Sequence, residues 1–193
     1  MRNILFFCLT VLIWIPSTAQ EKKNEKSKYY ISSEVGAGNY MSYGADLNYI
    51  LNDKFSFRLG YSGHVRNSKE LPYNLTSTVS TPRDVMNTFQ FMVGHAVYLN
   101  PKNKKSRVNF AAGIGYTSID KPTNWEVYNP ESDKGQVVYI YDKNTEQEAS
   151  LIIQPKIEFL IERYFGFTVS PTLQISEHET YIGIGFGSMI GNL

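Results

Sequence analysis

The feature that most constrains this chain is a period of two. Eight segments alternate apolar residues with small or polar ones, roughly Tyr29–Gly38, Tyr43–Ile50, Phe55–His64, Asn87–Leu99, Val108–Thr117, Ala149–Ile161, Phe167–Ser176 and Tyr181–Gly191. In the third, Phe55, Phe57, Leu59 and Tyr61 share one phase, and Ser56, Arg58, Gly60 and Ser62 the other. Phe167, Val169, Pro171, Leu173 and Ile175 repeat that arrangement in the seventh. Alternate residues share a face only along a β-strand, so each segment predicts a strand with one apolar face. With 14 Tyr, 11 Phe and 14 Gly in 193 residues, the composition also favours an all-β chain. Lys and Arg total 19 against 18 Asp and Glu, so no basic surplus exists for nucleic acid. A hydrophobic share of 42% argues against a disordered chain.

The N-terminus carries an export address. Arg2 precedes a run from Ile4 to Ile15 that is apolar except for Thr10, and Ser17 and Ala19 then stand at the −3 and −1 positions of a cleavage site. This predicts a cleaved signal peptide over residues 1–19. The run is too short for a membrane-spanning helix, which takes about 20 apolar residues. Cys8 lies inside the run, which argues against a lipoprotein site, and the only cysteine leaves with the signal. The exported chain therefore has no disulfide to draw on. Residues 20–28 read as a flexible leader and residues 29–193 as the folded domain.

Eight antiparallel strands can close into a barrel without an edge, as a bilayer requires. Most of the segments match the roughly 9–11 residues of a tilted transmembrane strand. The connections alternate in size. Asn39–Ser42, Val65–Met86, Ser118–Glu148 and Glu177–Thr180 would share one rim, with two of them long; Leu51–Lys54, Asn100–Arg107 and Glu162–Gly166 on the other rim are all modest. Alternation alone does not say which face meets lipid, because a soluble lipocalin-like binder would be apolar inside. Two features favour the inside-out choice. Gly36, Gly38, Gly44, Gly60, Gly94, Gly113, Gly115, Gly183, Gly185, Gly187 and Gly191 fall in the polar phase, where a water-facing wall would carry Lys and Glu. Tyr29, Tyr49, Phe55, Phe159 and Phe167 gather at the short-turn ends of the apolar phase, and Tyr43, Tyr61, Phe89, Tyr116 and Tyr181 at the long-loop ends. Two aromatic belts are what membrane interfaces select.

These features together resemble the small eight-stranded outer-membrane barrels of the OmpX/OmpA kind. The glycine-spaced terminal segment from Tyr181 to Leu193 is similar to the "outer membrane protein beta-barrel domain" proteins of the Bacteroidetes, although it ends in Leu193 where many such barrels end in Phe. The resemblance implies an all-β, eight-stranded antiparallel transmembrane up-and-down barrel in the outer membrane, with periplasmic termini. It also implies partners in outer-membrane lipid and the outer-membrane assembly machinery, a monomer, a blocked lumen and no cofactor.

Glu34, Asp46, Arg58, Lys156 and Glu158 fall in the inward phase. Buried charges are costly unless paired, so they predict a salt-bridged plug, with Arg58 reaching Glu34 or Asp46. The lumen of eight strands is only wide enough for side chains. A non-enzymatic role is expected, with loops 65–86 and 118–148 meeting an extracellular or cell-surface ligand or stabilising the envelope. Tyr73, Trp125, Tyr128, Tyr139 and Tyr141 are the candidate anchors; they could equally stack on one another and stiffen the loop. Residues 125–128 and 136–141 flank a turn and predict a projecting hairpin, separate from the wall. A lipid A-modifying enzyme is the rival class, and its candidates would be Ser62 and His64, two residues apart on one face. A narrow route for small hydrophobic molecules is another, with Pro155 and Pro171 marking a weak seam between adjacent strands. His95 stands in the lipid phase, which implies a bulge at Gly94 or a partner barrel. Glu177, His178 and Glu179 have metal-ligand chemistry, but adjacent residues converge poorly and a further ligand would have to come from another loop. A solvated turn and no metal are expected there.

Overall fold

The computed structural model describes residues 27–69, 82–100, 102–128 and 138–193, excepting the side chains of residues 127, 128, 138 and 139. Residues 1–19, expected as a signal peptide, most of the expected leader and Tyr73 lie outside the described residues, as do the Tyr128 and Tyr139 side chains. The strands are β1 (Lys28–Gly38), β2 (Met41–Leu51), β3 (Phe55–Asn67), β4 (Arg83–Tyr98), β5 (Ser106–Tyr128), β6 (Val138–Leu160), β7 (Phe165–Ser176) and β8 (Thr180–Asn192). Each pairs antiparallel with the next, and β8 returns to β1, closing the barrel.

The phase predicted from the sequence holds around the wall. Tyr29, Tyr49, Phe55, Phe159 and Phe167 are exposed on the outer face at the short-turn end, and Tyr43, Phe89 and Tyr116 at the other. Between them the outer face is Ile31, Leu47, Leu59, Phe91, Ile114, Leu151 and Phe186, all exposed. The buried inner phase is largely polar: Ser32, Asp46, Asn48, Arg58, Gln90, Asn109, Gln154, Lys156, Glu158, Ser170 and Gln174. A chain with its apolar residues outside and its charges inside is stable only where hydrocarbon replaces water around it.

Tyr181 is the exception to the expected outer belt. It is 2% exposed and points into the lumen, in phase with Gly183 and Gly185, while Ile182 and Ile184 face outward. The space left by glycines on its own face admits the ring.

The turns follow from their residues. Asn52 and Asp53 both take positive φ, 55° and 57°, and Lys54 N donates to Leu51 O at 3.1 Å. That is the primed hairpin turn, whose twist matches the strands and which Asn and Asp tolerate. Arg107, assigned by its position to a turn, instead lies in β5 opposite Glu158 and is fully buried. β5 and β6 each run 23 residues against 11 for β1 and β2, so the expected separate hairpin is a continuation of the wall strands. Pairing continues through Pro122 and shifts register between Thr123 and Glu126, where Asn124 takes φ 52°. One left-handed residue is enough to form such a bulge without ending the ribbon.

Candidate functional site

The lumen is organised around three cations and three carboxylates. Lys156 Nζ lies 2.7 Å from Glu34 Oε1 and 3.0 Å from Asp46 Oδ2, and it donates to Ser32 Oγ at 3.0 Å. Gln90 donates to the second Asp46 oxygen at 3.0 Å. Ser170 and Thr168 both donate to Glu34. Nearer the short turns, Arg107 pairs with Glu158, which also accepts the Tyr30 hydroxyl at 2.5 Å. Tyr30 packs there with Ile50, Ala96, Met189 and Leu193. Arg58 is buried as predicted, but its hydrogen bond goes to Gln154, not to Glu34 or Asp46. Lys156 already occupies both carboxylates, so Arg58 takes the neutral acceptor. Of the five expected lumen charges, Glu34, Asp46 and Lys156 meet in one cluster and Glu158 lies in a second, where Arg107 is its partner. Only the placement of residues 106–107 inside the strand could have revealed it from sequence.

Above this layer Gln174 donates to Thr88 and Thr117, at 2.9 Å and 3.1 Å. Tyr40, Met86, Ile119 and Tyr181 then close the lumen toward the long loops. His64 joins them, its ring 4.1 Å from that of Tyr181. Between plug and lid remains a cavity of about 40 Å³ lined by Glu34, Asp46, Ser62, His64 and Tyr181 among others. That is room enough for ordered water, which needs at least about 10–15 Å³. Ser62 Oγ and His64 Nδ1 both lack a hydrogen-bond partner, so the two do not form a nucleophile–base pair.

A charged network lies over the lid. Arg66 reaches Asp84 and Glu179, each at 2.8 Å, and Lys121 reaches Glu179 at 2.8 Å. The Arg66 guanidinium stacks 4.2 Å from the Tyr40 ring. Burial alone would push the Glu179 carboxyl up; hydrogen bonds from Lys121 and Arg66 outweigh it and hold it below the ordinary carboxylate range. Farther out, Trp125 and Tyr141 stack across the β5–β6 ribbon with centroids 5.0 Å apart. Of the five loop aromatics singled out, these are the two whose side chains the structure describes, and it brings them together.

His95 keeps the outer phase with no break in register on either side, and it meets Phe55 edge-on at 5.9 Å. Of the two alternatives for His95, the bulge at Gly94 is not there. Pro155 and Pro171 stand opposite one another, and pairing of β6 with β7 lapses between Ile153↔Leu173 and Ile157↔Val169. A proline has no N–H to give the ladder.

A closed eight-stranded wall, inverted in polarity and plugged by ion pairs, is a transmembrane barrel of the outer-membrane type. Solved barrels of that class share the fold. The N-terminal β-barrel domain of Pseudomonas aeruginosa OprF superposes with a TM-score of 0.52 at 13% identity, over 88% of this chain and 99% of that one. Ail, the attachment invasion locus protein of Yersinia pestis, gives 0.51 at 10% identity, over 88% and 99%. Neisserial surface protein A gives 0.51 at 6% identity, over 86% and 96%. No family model matches this sequence, and no curated protein matches it.

Proposed function

We propose that this is a non-enzymatic outer-membrane protein whose barrel serves as a mount for the β5–β6 ribbon, which meets a partner outside the cell. The carrying observation is the length of that ribbon. Two strands of 23 residues continue about ten residues past the level at which their neighbours turn, a reach of roughly 30 Å. The ribbon is stiffened by the Trp125–Tyr141 stack and by Lys143 on Asp120 at 2.8 Å. Tyr141 and Ile140 remain exposed on it. A preformed surface loses little freedom when it binds, which favours recognition. A barrel of the same fold, Ail, has been solved with the heparin analogue sucrose octasulfate, so the scaffold is compatible with ligand capture. Against an enzyme that modifies lipid A, the Ser62 and His64 side chains sit in the lumen, with His64 2% exposed and out of reach of the bilayer.

Replacing residues 121–143 by a two-residue turn tests the proposal. The trimmed barrel should keep its folded, heat-modifiable band and lose surface attachment of the expressing cells, while lipid A profiles stay the same with and without the gene. Attachment unchanged by trimming, or a lipid A acylation pattern that changes with Ser62→Ala, would overturn it.

A further inference from the structure

At the long-loop rim, β6 supplies the ligand that the turn after β7 lacks. His178 Nδ1 lies 2.9 Å from Glu148 Oε2 and 3.6 Å from Glu146 Oε2. The same Glu148 oxygen accepts the His178 backbone N–H at 3.2 Å. Glu148, Glu177 and His178 each bring one ligand-type atom within 4.8 Å of the others. The Glu148 side chain is only 7% exposed, and its Oε1 has no hydrogen-bond partner. A buried carboxylate oxygen left without a donor costs free energy that a bound cation would recover.

We propose that Glu148, His178 and Glu177 form a site for a divalent cation of the zinc class, with Glu146 or water completing the shell. An imidazole nitrogen beside carboxylates suits zinc and its first-row neighbours, whereas calcium and magnesium take oxygen ligands. Two ligand atoms bound to one tetrahedral zinc at about 2.0–2.2 Å stand roughly 3.4 Å apart. The His178–Glu148 contact needs to open by only about half an ångström to reach that. Glu177 and His178 are exposed side chains in a turn and can make the adjustment. Without the metal, the Nδ1 proton holds His178 on Glu148; the cation takes that proton's place. It would tie the base of the β6 extension to the β7–β8 turn.

The test is calorimetric titration of the untagged, detergent-solubilised barrel with ZnCl2. One equivalent should bind, and His178→Ala and Glu148→Gln should each weaken binding by about tenfold or more. Glu162→Gln, on the opposite rim, should leave it unchanged. CaCl2 should bind at least about tenfold more weakly than zinc, and His178→Ala should not alter its binding. No saturable zinc binding, zinc binding indifferent to His178→Ala, or calcium binding as tight as zinc would each overturn the proposal. Far-ultraviolet spectra and heat-modifiability of each variant confirm that a loss of binding is not a loss of fold.

Discussion

Remove the Lys156 ammonium and Glu34 and Asp46 face each other across the lumen with no cation bridging them. Breaking a buried ion pair from one side costs about 3–5 kcal/mol. Lys143, 64% exposed on its pair with Asp120, contributes about 1 kcal/mol at most. Lys156→Met should therefore lower the unfolding midpoint of the barrel in micelles far more than Lys143→Ala; equal midpoints would mean that the plug carries no stability. Arg58→Ala should also exceed the Lys143 control, because it strips Gln154 of its donor. Gly60 belongs to the same cluster. A Cβ there would strike the Asp46 carboxylate, so the glycine makes room for the group that holds Lys156. At the short-turn rim, burial raises the Asp53 carboxyl, but the Lys104 hydrogen bond and the charge of Lys28 outweigh it and hold it below the ordinary range. A depressed carboxyl stabilises the fold above its unfolded value, about 3.9, and that contribution is lost as pH falls through the folded value. Asp53→Asn should thus melt lower than the parent at pH 7, and the gap should close as pH drops below about 3.9. A gap that persists in acid would show that Asp53 acts through turn geometry rather than through charge.

The strands and their phases were legible because the period-two signal is strong when each wall residue meets either lipid or a crowded lumen. Less legible were the places where a local rule was overruled from across the barrel. Arg107 reads as a turn residue until Glu158, opposite it on β6, is known. Tyr181 reads as a belt aromatic until the glycines of its own strand leave space inward. The β5–β6 extension reads as a detached hairpin because residues 125–128 and 136–141 flank a turn of their own, yet the partner strand carries the ladder through Pro122 to join it to the wall. The candidate cation ligands show the same limit, since Glu148 and His178 are neighbours only through the β6–β7 register. Pro155 and Pro171 were visible, but not that they face each other. Their lapse in pairing gives an element-scale prediction. Amides of Ile153, Ile157, Val169 and Leu173, which flank the proline pair and face the seam, should exchange faster in deuterated buffer than those of residues 154, 156, 170 and 172, which face β5 and β8. Uniform protection along β6 and β7 would show the seam to be sealed.

For the molecule as a whole, ion pairs and polar side chains fill the lumen beneath an aromatic lid, and the cavity between plug and lid is about 40 Å³. Planar-bilayer recordings should accordingly show no large, stable conductance; a reproducible porin-like current would mean that the lid and plug are displaced together. Barrel, plug and ribbon divide the work by height: the wall meets lipid, the ion pairs fix the cross-section, and the ribbon extends beyond the rim. The plug has a further consequence. Lys156, Arg58 and Arg107 set against Glu34, Asp46 and Glu158 leave the interior with zero net charge. A voltage does work on a protein only through charge that can shift along the field, about 2.3 kcal/mol per unit charge per 100 mV. With its fixed charges cancelling in place, this barrel would be electrically silent, its shape and stability the same whatever potential develops across the membrane that holds it.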